Sequence, residues 1–184
     1  IRDIEEDAAR KCDALVTVGE EIRALLDEQY QQESKTFVVR SVSEFVEQPF
    51  RPSSYPLKLL YSGAISRERG LAELVEAMVS IQDRFTLTIK GPVSDAKFER
   101  ALRKLVEDLH LSQIVSVEEP CPYEEIVQHA NSYDVGIFVQ PNTSKHKLYT
   151  LPNNFFSYIA AGLSVCVSEY PELVRISKEW GLAV

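Results

Sequence analysis

Long apolar runs are missing from this sequence. No stretch approaches the roughly 18 uninterrupted apolar residues of a membrane-spanning helix, and none reads as a signal peptide. Cysteine is scarce: Cys12, Cys121 and Cys166 are odd in number, far apart and without metal-type spacing. That argues against a disulfide framework or a zinc site, and for reduced thiols in a cytoplasmic protein. His110, His129 and the single tryptophan, Trp180, show no spacing that suggests a ligand set, so they read as structural. Positive charge is in deficit, with 20 Lys and Arg against 28 Asp and Glu, a formal net charge of −8. Nucleic acid and anionic membranes are therefore disfavoured as main partners, although local basic clusters stay open.

What remains is an ordinary globular composition, 45% hydrophobic and 26% charged over 184 residues, enough for one full domain with a core. The chain starts inside a helical pattern and stops at what looks like the start of a strand, so both ends are expected to be cuts in a larger protein. Residues 1–40 read as helix, strand, helix, strand. Ile1, Ile4, Ala8, Cys12 and Leu15 trace one helical face, followed by the strand Leu15-Val-Thr-Val, a helix from Glu20 to Gln29 and the strand Phe37-Val-Val. Two short strands and two helices make no sizeable core alone, and this block is expected to be the end of a neighbouring domain. Residues 41–56 hold Pro49, Pro52 and Pro56 without apolar periodicity, and read as an interdomain linker.

From residue 57 onwards strands and helices alternate. Strands are predicted at Leu57–Tyr61, Phe85–Ile89, Ile114–Val117, Val135–Val139 and Leu163–Val167. Between them, apolar residues at helical spacing (Leu71 to Ile81, Phe98 to Leu109, Pro122 to Ala130) predict helices, with a last one from Pro171 to Trp180 that Glu169 and Glu172 would cap. This alternation means βαβ units and a parallel α/β sheet, whose ligands bind at the carboxyl ends of the strands. The most informative stretch is LPNNFFSYIAAGLSVCVS, from Leu151 to Ser168. Pro152 opens a helix, Gly162 ends it, and an apolar run then reads as a buried strand. The start of that helix offers unpaired N–H groups to an anion.

The order YSGAISRERGLAELVEAM, LTIKGP, YDVGIFVQP, LPNNFFSYIAAGLSVCVS resembles the C-terminal domain of GT-B glycosyltransferases, and more closely the retaining, group 1 or family 4-like enzymes of bacterial polysaccharide biosynthesis. The resemblance covers roughly 57–184, and a combination of this length is far more specific than a lone glycine motif. ARKCDALVTVGEEIRALL is similar to the end of that family's N-terminal domain. The resemblance implies a Rossmann-like doubly wound sheet with helices on both faces. It implies that 57–184 binds a nucleoside-diphosphate sugar donor. The acceptor, a glycan or a lipid-linked glycan, would be held by the N-terminal half. No cofactor or metal is expected, because basic side chains and a helix start cradle the leaving diphosphate. The setting it implies is cytoplasmic, with peripheral contact of the intact protein at the inner face of the membrane.

By the same resemblance, Gly63, Arg67, Arg69, Lys145, Lys147, Leu151 and Asn153 are candidates for the donor diphosphate, and Lys90, Gly91, Tyr123 and Ser157 for the base and ribose. Each has a plain alternative: a strand-ending glycine at Gly63, solvated arginines at a helix start, a ligand-free turn at Lys90-Gly91-Pro92, a packed Tyr123, a solvated loop around Lys145, His146 and Lys147. The chain departs from the family at three positions. Ala64 stands where many members carry arginine, and Tyr149 and Ser157 stand where acidic residues are usual. These departures favour an alternative reading, a non-catalytic relative that serves assembly or partner binding. A sugar-nucleotide epimerase of similar fold ranks third.

Overall fold

The computed structural model describes residues 2–31, 35–142 and 145–182, without the side chains of Arg2, Asp3, Lys145 and His146. The expected place of Ile1 on the first helical face lies outside the described residues, as do the side chains of Lys145 and His146.

The first block contains α1 (Arg2–Lys11), β1 (Leu15–Thr17), α2 (Glu20–Tyr30) and β2 (Thr36–Val38), with β1 and β2 paired in parallel as a sheet of their own. Residues 41–56 hold no helix or strand. There follow β3 (Leu57–Ser62), α3 (Leu71–Met78), β4 (Phe85–Lys90), α4 (Ala96–Asp108), β5 (Val115–Glu118), α5 (Ile126–Ala130), β6 (Val135–Phe138), α6 (Lys145–Leu148), α7 (Asn153–Ala160), β7 (Ser164–Val167) and α8 (Pro171–Glu179). The strands from β3 onwards form one parallel sheet in the order β5-β4-β3-β6-β7. The chain builds outward from β3 to β5 and then crosses to β6 on the other side. The strand order therefore reverses between β3 and β6, where open α/β sheets leave a crevice.

Strand alternation divides the core into two layers. Leu59 and Tyr61 face the side covered by α3 and α4, with Leu71, Val75, Met78, Phe98 and Leu102. Leu60 points the other way, into Phe155, Tyr158, Leu173 and Ile176 of α7 and α8. Helices thus cover both faces of the sheet. Local chemistry starts α4: the Asp95 carboxylate accepts from the N–H groups of Lys97 and Phe98, 3.0 and 2.9 Å away.

Several expectations need correction. α3 stops at Met78, because residues 79–84 turn back through short-range bonds such as Ser80 N–H to Ala77 O, while Ile81 still packs against the core. β7 is only half buried: it is an edge strand, and Ser164 and Cys166 are exposed. On α1, Ile4 is 75% exposed and Ala8 is exposed too, whereas Ala9 is buried, so the helix does not turn the whole expected stripe inward. The polar loop after β6 contains a short helix, α6. Pro152 precedes α7 in an extended conformation (φ −78°, ψ 142°) instead of forming its first turn, while Gly162 ends the turn after it at φ +79°, in the left-handed region its role requires.

Glu172 does not cap α8. It is fully buried, accepts from the Glu21 N–H at the start of α2 (3.2 Å), and pairs with Arg175 at 2.7 Å. The last helix is tied to the first block through this carboxylate. The Asp134 carboxylate accepts from the Lys58 N–H at 2.8 Å and so sets where β6 starts beside β3.

Candidate functional site: a cleft at the strand crossover

A cavity of about 540 Å³ opens at the carboxyl ends of β3, β4 and β6. Its walls come from Ser62–Ala64 after β3, Lys90–Pro92 after β4, Pro120, Cys121, Tyr123 and Ile126 before and in α5, Thr150–Asn154 at the start of α7, and Ser41–Ser43. Eight of the sequence candidates meet here: Gly63, Arg69, Lys90, Gly91, Tyr123, Leu151, Asn153 and Ser157.

The wall next to the crossover is held by α7. Asn154 and Tyr158, one turn apart, grip the backbone of Ser62 from both ends. The Asn154 Nδ2 donates to Ser62 O (2.8 Å), and the Ser62 N–H donates to the Tyr158 hydroxyl (2.8 Å). That hydroxyl in turn donates to Ile137 O at 3.3 Å. Direct pairing of β3 with β6 stops after Leu60 and Gly136, so the hydroxyl bridges the two strands where they no longer pair. Room for the ring exists because residue 136 is glycine: a Cβ there would lie 2.2 Å from Tyr158 Cγ. Burial raises the Tyr158 pKa far above its usual value, keeping the hydroxyl a donor.

Arg69 reaches the cavity from the short 3-10 turn Arg67–Arg69. Its Nη1 donates to Gln140 Oε1 at 3.0 Å. Gln140 is fixed by its own backbone, which receives the hydroxyls of Ser168 (3.2 Å) and Tyr170 (2.5 Å). Beneath Arg69 lies Tyr61, whose pKa burial pushes up to about 12 against the lowering influence of the arginine charge. No side chain caps α7, and the residues at its start line the same cavity as Arg69. Leu151 belongs to the core and also lines the cavity.

Two basic candidates stand elsewhere. Arg67 lies over the Phe98 ring, 5.5 Å from its centre, and Lys147 Nζ donates to Glu68 O at 3.2 Å. Both line an adjoining groove of about 510 Å³ that shares Ala64, Arg69 and Thr150 with the cavity. The side chain of Lys145 lies outside the described residues.

Across the cavity, Lys90 is only 9% exposed. Its ammonium sits 3.0 Å from Glu118 Oε2 and 2.7 Å from His129 Nε2. Burial opposes the Glu118 charge, but the hydrogen bonds from Lys90 and Ser116 and the Lys90 charge outweigh it and hold that carboxyl below its usual pKa. Burial, then the Lys90 charge, lowers the His129 pKa against the pull of Glu118 and Glu125. The expectation that His129 is merely structural thus needs amending, since it holds a cavity-lining cation. Gly91 permits the turn: at φ +154° an added Cβ would sit 1.9 Å from Gly63 O, so the two glycine backbones touch. Gly63 itself would place a Cβ 3.1 Å from the end of Tyr61, a lesser conflict. Tyr123 stands at the rim, 72% exposed. Ser157 is buried, and its Oγ lies 2.7 Å from Ser43 Oγ and 3.3 Å from Asn153 O.

Ser43, Asn154, Tyr158, Glu118 and His129 are what sequence reasoning missed. For Asn154 and Tyr158 a signal existed, since polar groups four residues apart on a helix share a face and, where that face is buried, ask for partners. The others carry no local signal. Among the described residues, no group of three or more His, Cys, Asp or Glu side chains gathers as a metal site, and no helix is long and apolar enough to cross a membrane.

No protein-family model matches the sequence, and no curated protein matches it. Solved structures do. The Anabaena protein HepE, in complex with UDP and glucose, superposes with a TM-score of 0.72 at 12% identity over 95% of this chain. A glycosyltransferase from Rickettsia africae gives 0.69 at 17% identity over 89%, and the pneumococcal O-GlcNAc transferase GtfA, with UDP and GlcNAc, 0.68 at 16% over 92%. This chain spans 49%, 46% and 32% of those three chains. The five-stranded parallel sheet with helices on both faces is the Rossmann-like fold of GT-B glycosyltransferases.

Proposed function

We propose that this chain is the donor-binding half of a glycosyltransferase that moves a sugar, of hexosyl type, from a nucleoside diphosphate to a glycan or lipid-linked acceptor. The observation that carries this reading is the cavity at the β3–β6 crossover, which both Arg69 and the uncapped start of α7 line. A diphosphate gathers negative charge as the sugar leaves it, and fixed donors aimed at that charge favour the transition state over the bound donor. Arg69 and the α7 N–H groups, with Asn153, take that role here. Gly63 and Gly91 bring backbone close to the ligand. The acceptor is held by the N-terminal half. The reading requires no metal. UDP-bound structures of similar fold lend weight to a nucleotide-sugar donor.

The finer picture goes with the same reading. Residues 1–40 end the acceptor-binding domain, 41–56 link the two domains, and 57–184 hold the donor. The reaction is of the retaining, family 4-like kind, in bacterial polysaccharide assembly on the cytoplasmic face of the membrane.

One observation favours the second reading, a non-catalytic domain that assembles with a partner: Ser157 is already satisfied by Ser43 inside the cavity. Thermal shift with UDP, GDP and ADP separates the two. At a hundredfold excess over its dissociation constant, a bound nucleotide stabilises by about 2.7 kcal/mol. Arg69→Ala should lose most of that shift while melting normally without ligand. No shift with any nucleotide sinks the donor reading.

A further inference from the structure

Among the described residues two charged side chains are buried, Glu172 and Lys90. Glu172 is accounted for by α2 and Arg175. Lys90 lines the cavity, and placing an ammonium in such a site is costly without good partners. Two partners hold it, Glu118 Oε2 at 3.0 Å and His129 Nε2 at 2.7 Å. An ammonium has three N–H donors and no acceptor. With the imidazole neutral and accepting at Nε2, two donors are used and one remains.

The position of Lys90 says what that donor can meet. Arg69 and the start of α7 stand on the β3–β6 side of the cavity, the end suited to phosphate. Lys90 stands at the end of β4, braced by the ends of β5 and α5, beside Pro92, Pro120, Tyr123 and Ile126. That apolar and aromatic wall suits a flat base. The Glu118 carboxylate cancels the Lys90 charge and would oppose a phosphate at that place. A neutral, strong acceptor such as a carbonyl oxygen fits instead. We propose that Lys90, held by Glu118 and His129, reads the base of the bound nucleotide and selects a base with a carbonyl on its pairing edge, uracil or guanine, over adenine. Adenine carries an amino group there, which sets donor against donor. The inference rests on the nucleotide reading above.

Calorimetric titration of this chain with UDP, GDP and ADP tests it. The wild type should bind UDP or GDP at least about tenfold tighter than ADP, the discrimination expected of one buried, charged hydrogen bond. Lys90→Met should bring the ratio within about threefold by weakening the carbonyl-bearing nucleotide and leaving ADP unchanged. Lys90→Gln, whose amide can also accept, should narrow it by strengthening ADP. It also keeps a polar group in place, so it stands in if the methionine variant fails to fold. A wild type that binds UDP, GDP and ADP equally overturns the role of Lys90 but not the nucleotide site. So does a loss of UDP, GDP and ADP alike in Lys90→Met, or an unchanged ratio in both variants. A wild type that binds no nucleotide overturns both.

Discussion

Tyr158→Phe removes one oxygen from the fully buried centre of the fold and leaves the ring in place. That oxygen accepts from the Ser62 N–H at 2.8 Å and donates to Ile137 O at 3.3 Å, bridging β3 and β6 where they no longer pair. The two lost bonds are unequal. A buried N–H without a partner costs about 1–3 kcal/mol, whereas a carbonyl that loses a long bond suffers less. Taking about 2 kcal/mol in total, and roughly 2–4 °C per kcal/mol for a chain of this length, the melting temperature should fall by roughly 4–8 °C. Urea unfolding should show a lower midpoint with an unchanged slope, since the surface exposed on unfolding is the same. The change also has a pH signature. Burial raises the Tyr158 and Tyr61 pKa values, so the neutral hydroxyls contribute stability that is complete below about pH 10 and is lost as pH rises towards the folded values. The phenylalanine variant should therefore lose less stability than the wild type between pH 9 and about 11. A midpoint shift worth under about 0.5 kcal/mol, the size of an ordinary surface substitution, would refute the bridging role.

The other expectations concern packing, the tie between the two parts of the chain, and acid. Gly136→Ala puts a Cβ 2.2 Å from the Tyr158 ring, which has nowhere to go; overpacking of about 1–3 kcal/mol plus the hydroxyl's lost bonds should lower the urea midpoint more than Tyr158→Phe does. Glu172→Ala removes the acceptor at the start of α2, a cap worth about 1 kcal/mol, so amide exchange should quicken across residues 20–30 and not in the five-stranded sheet; uniform quickening would contradict the tie. His129 has a folded pKa below its unfolded value, so the unfolded chain takes up the proton more readily. Its contribution is present above about pH 6.5 and lost as pH falls through the folded value. The urea midpoint should accordingly decline less between pH 7 and 5 in His129→Gln, and an identical decline would remove His129 from the acid response.

Periodicity and turn chemistry are local properties, and whatever rests on them could be read directly from the chain. The alternation at Leu59, Leu60 and Tyr61 marks a strand packed on both faces, Asp95 marks a helix start, and Gly162 marks a stop. Together they lead to a parallel α/β sheet with ligands at its carboxyl edge, and hence to Gly63, Arg69, Gly91 and Asn153 beside one cleft. Residues far apart in the chain meet only through the order of the strands. β4 lies beside β5, so Lys90 finds Glu118, and α5 packs over them, so His129 completes the set. The same holds for Ser43 against Ser157 and for Glu172 against Glu21. Arg67 and Arg69 are two positions apart, yet the short turn that carries them sends one side chain to Phe98 and the other to Gln140. The family resemblance nominated both arginines, and folding separated them, because side-chain direction in a single turn depends on which neighbours stand on either side.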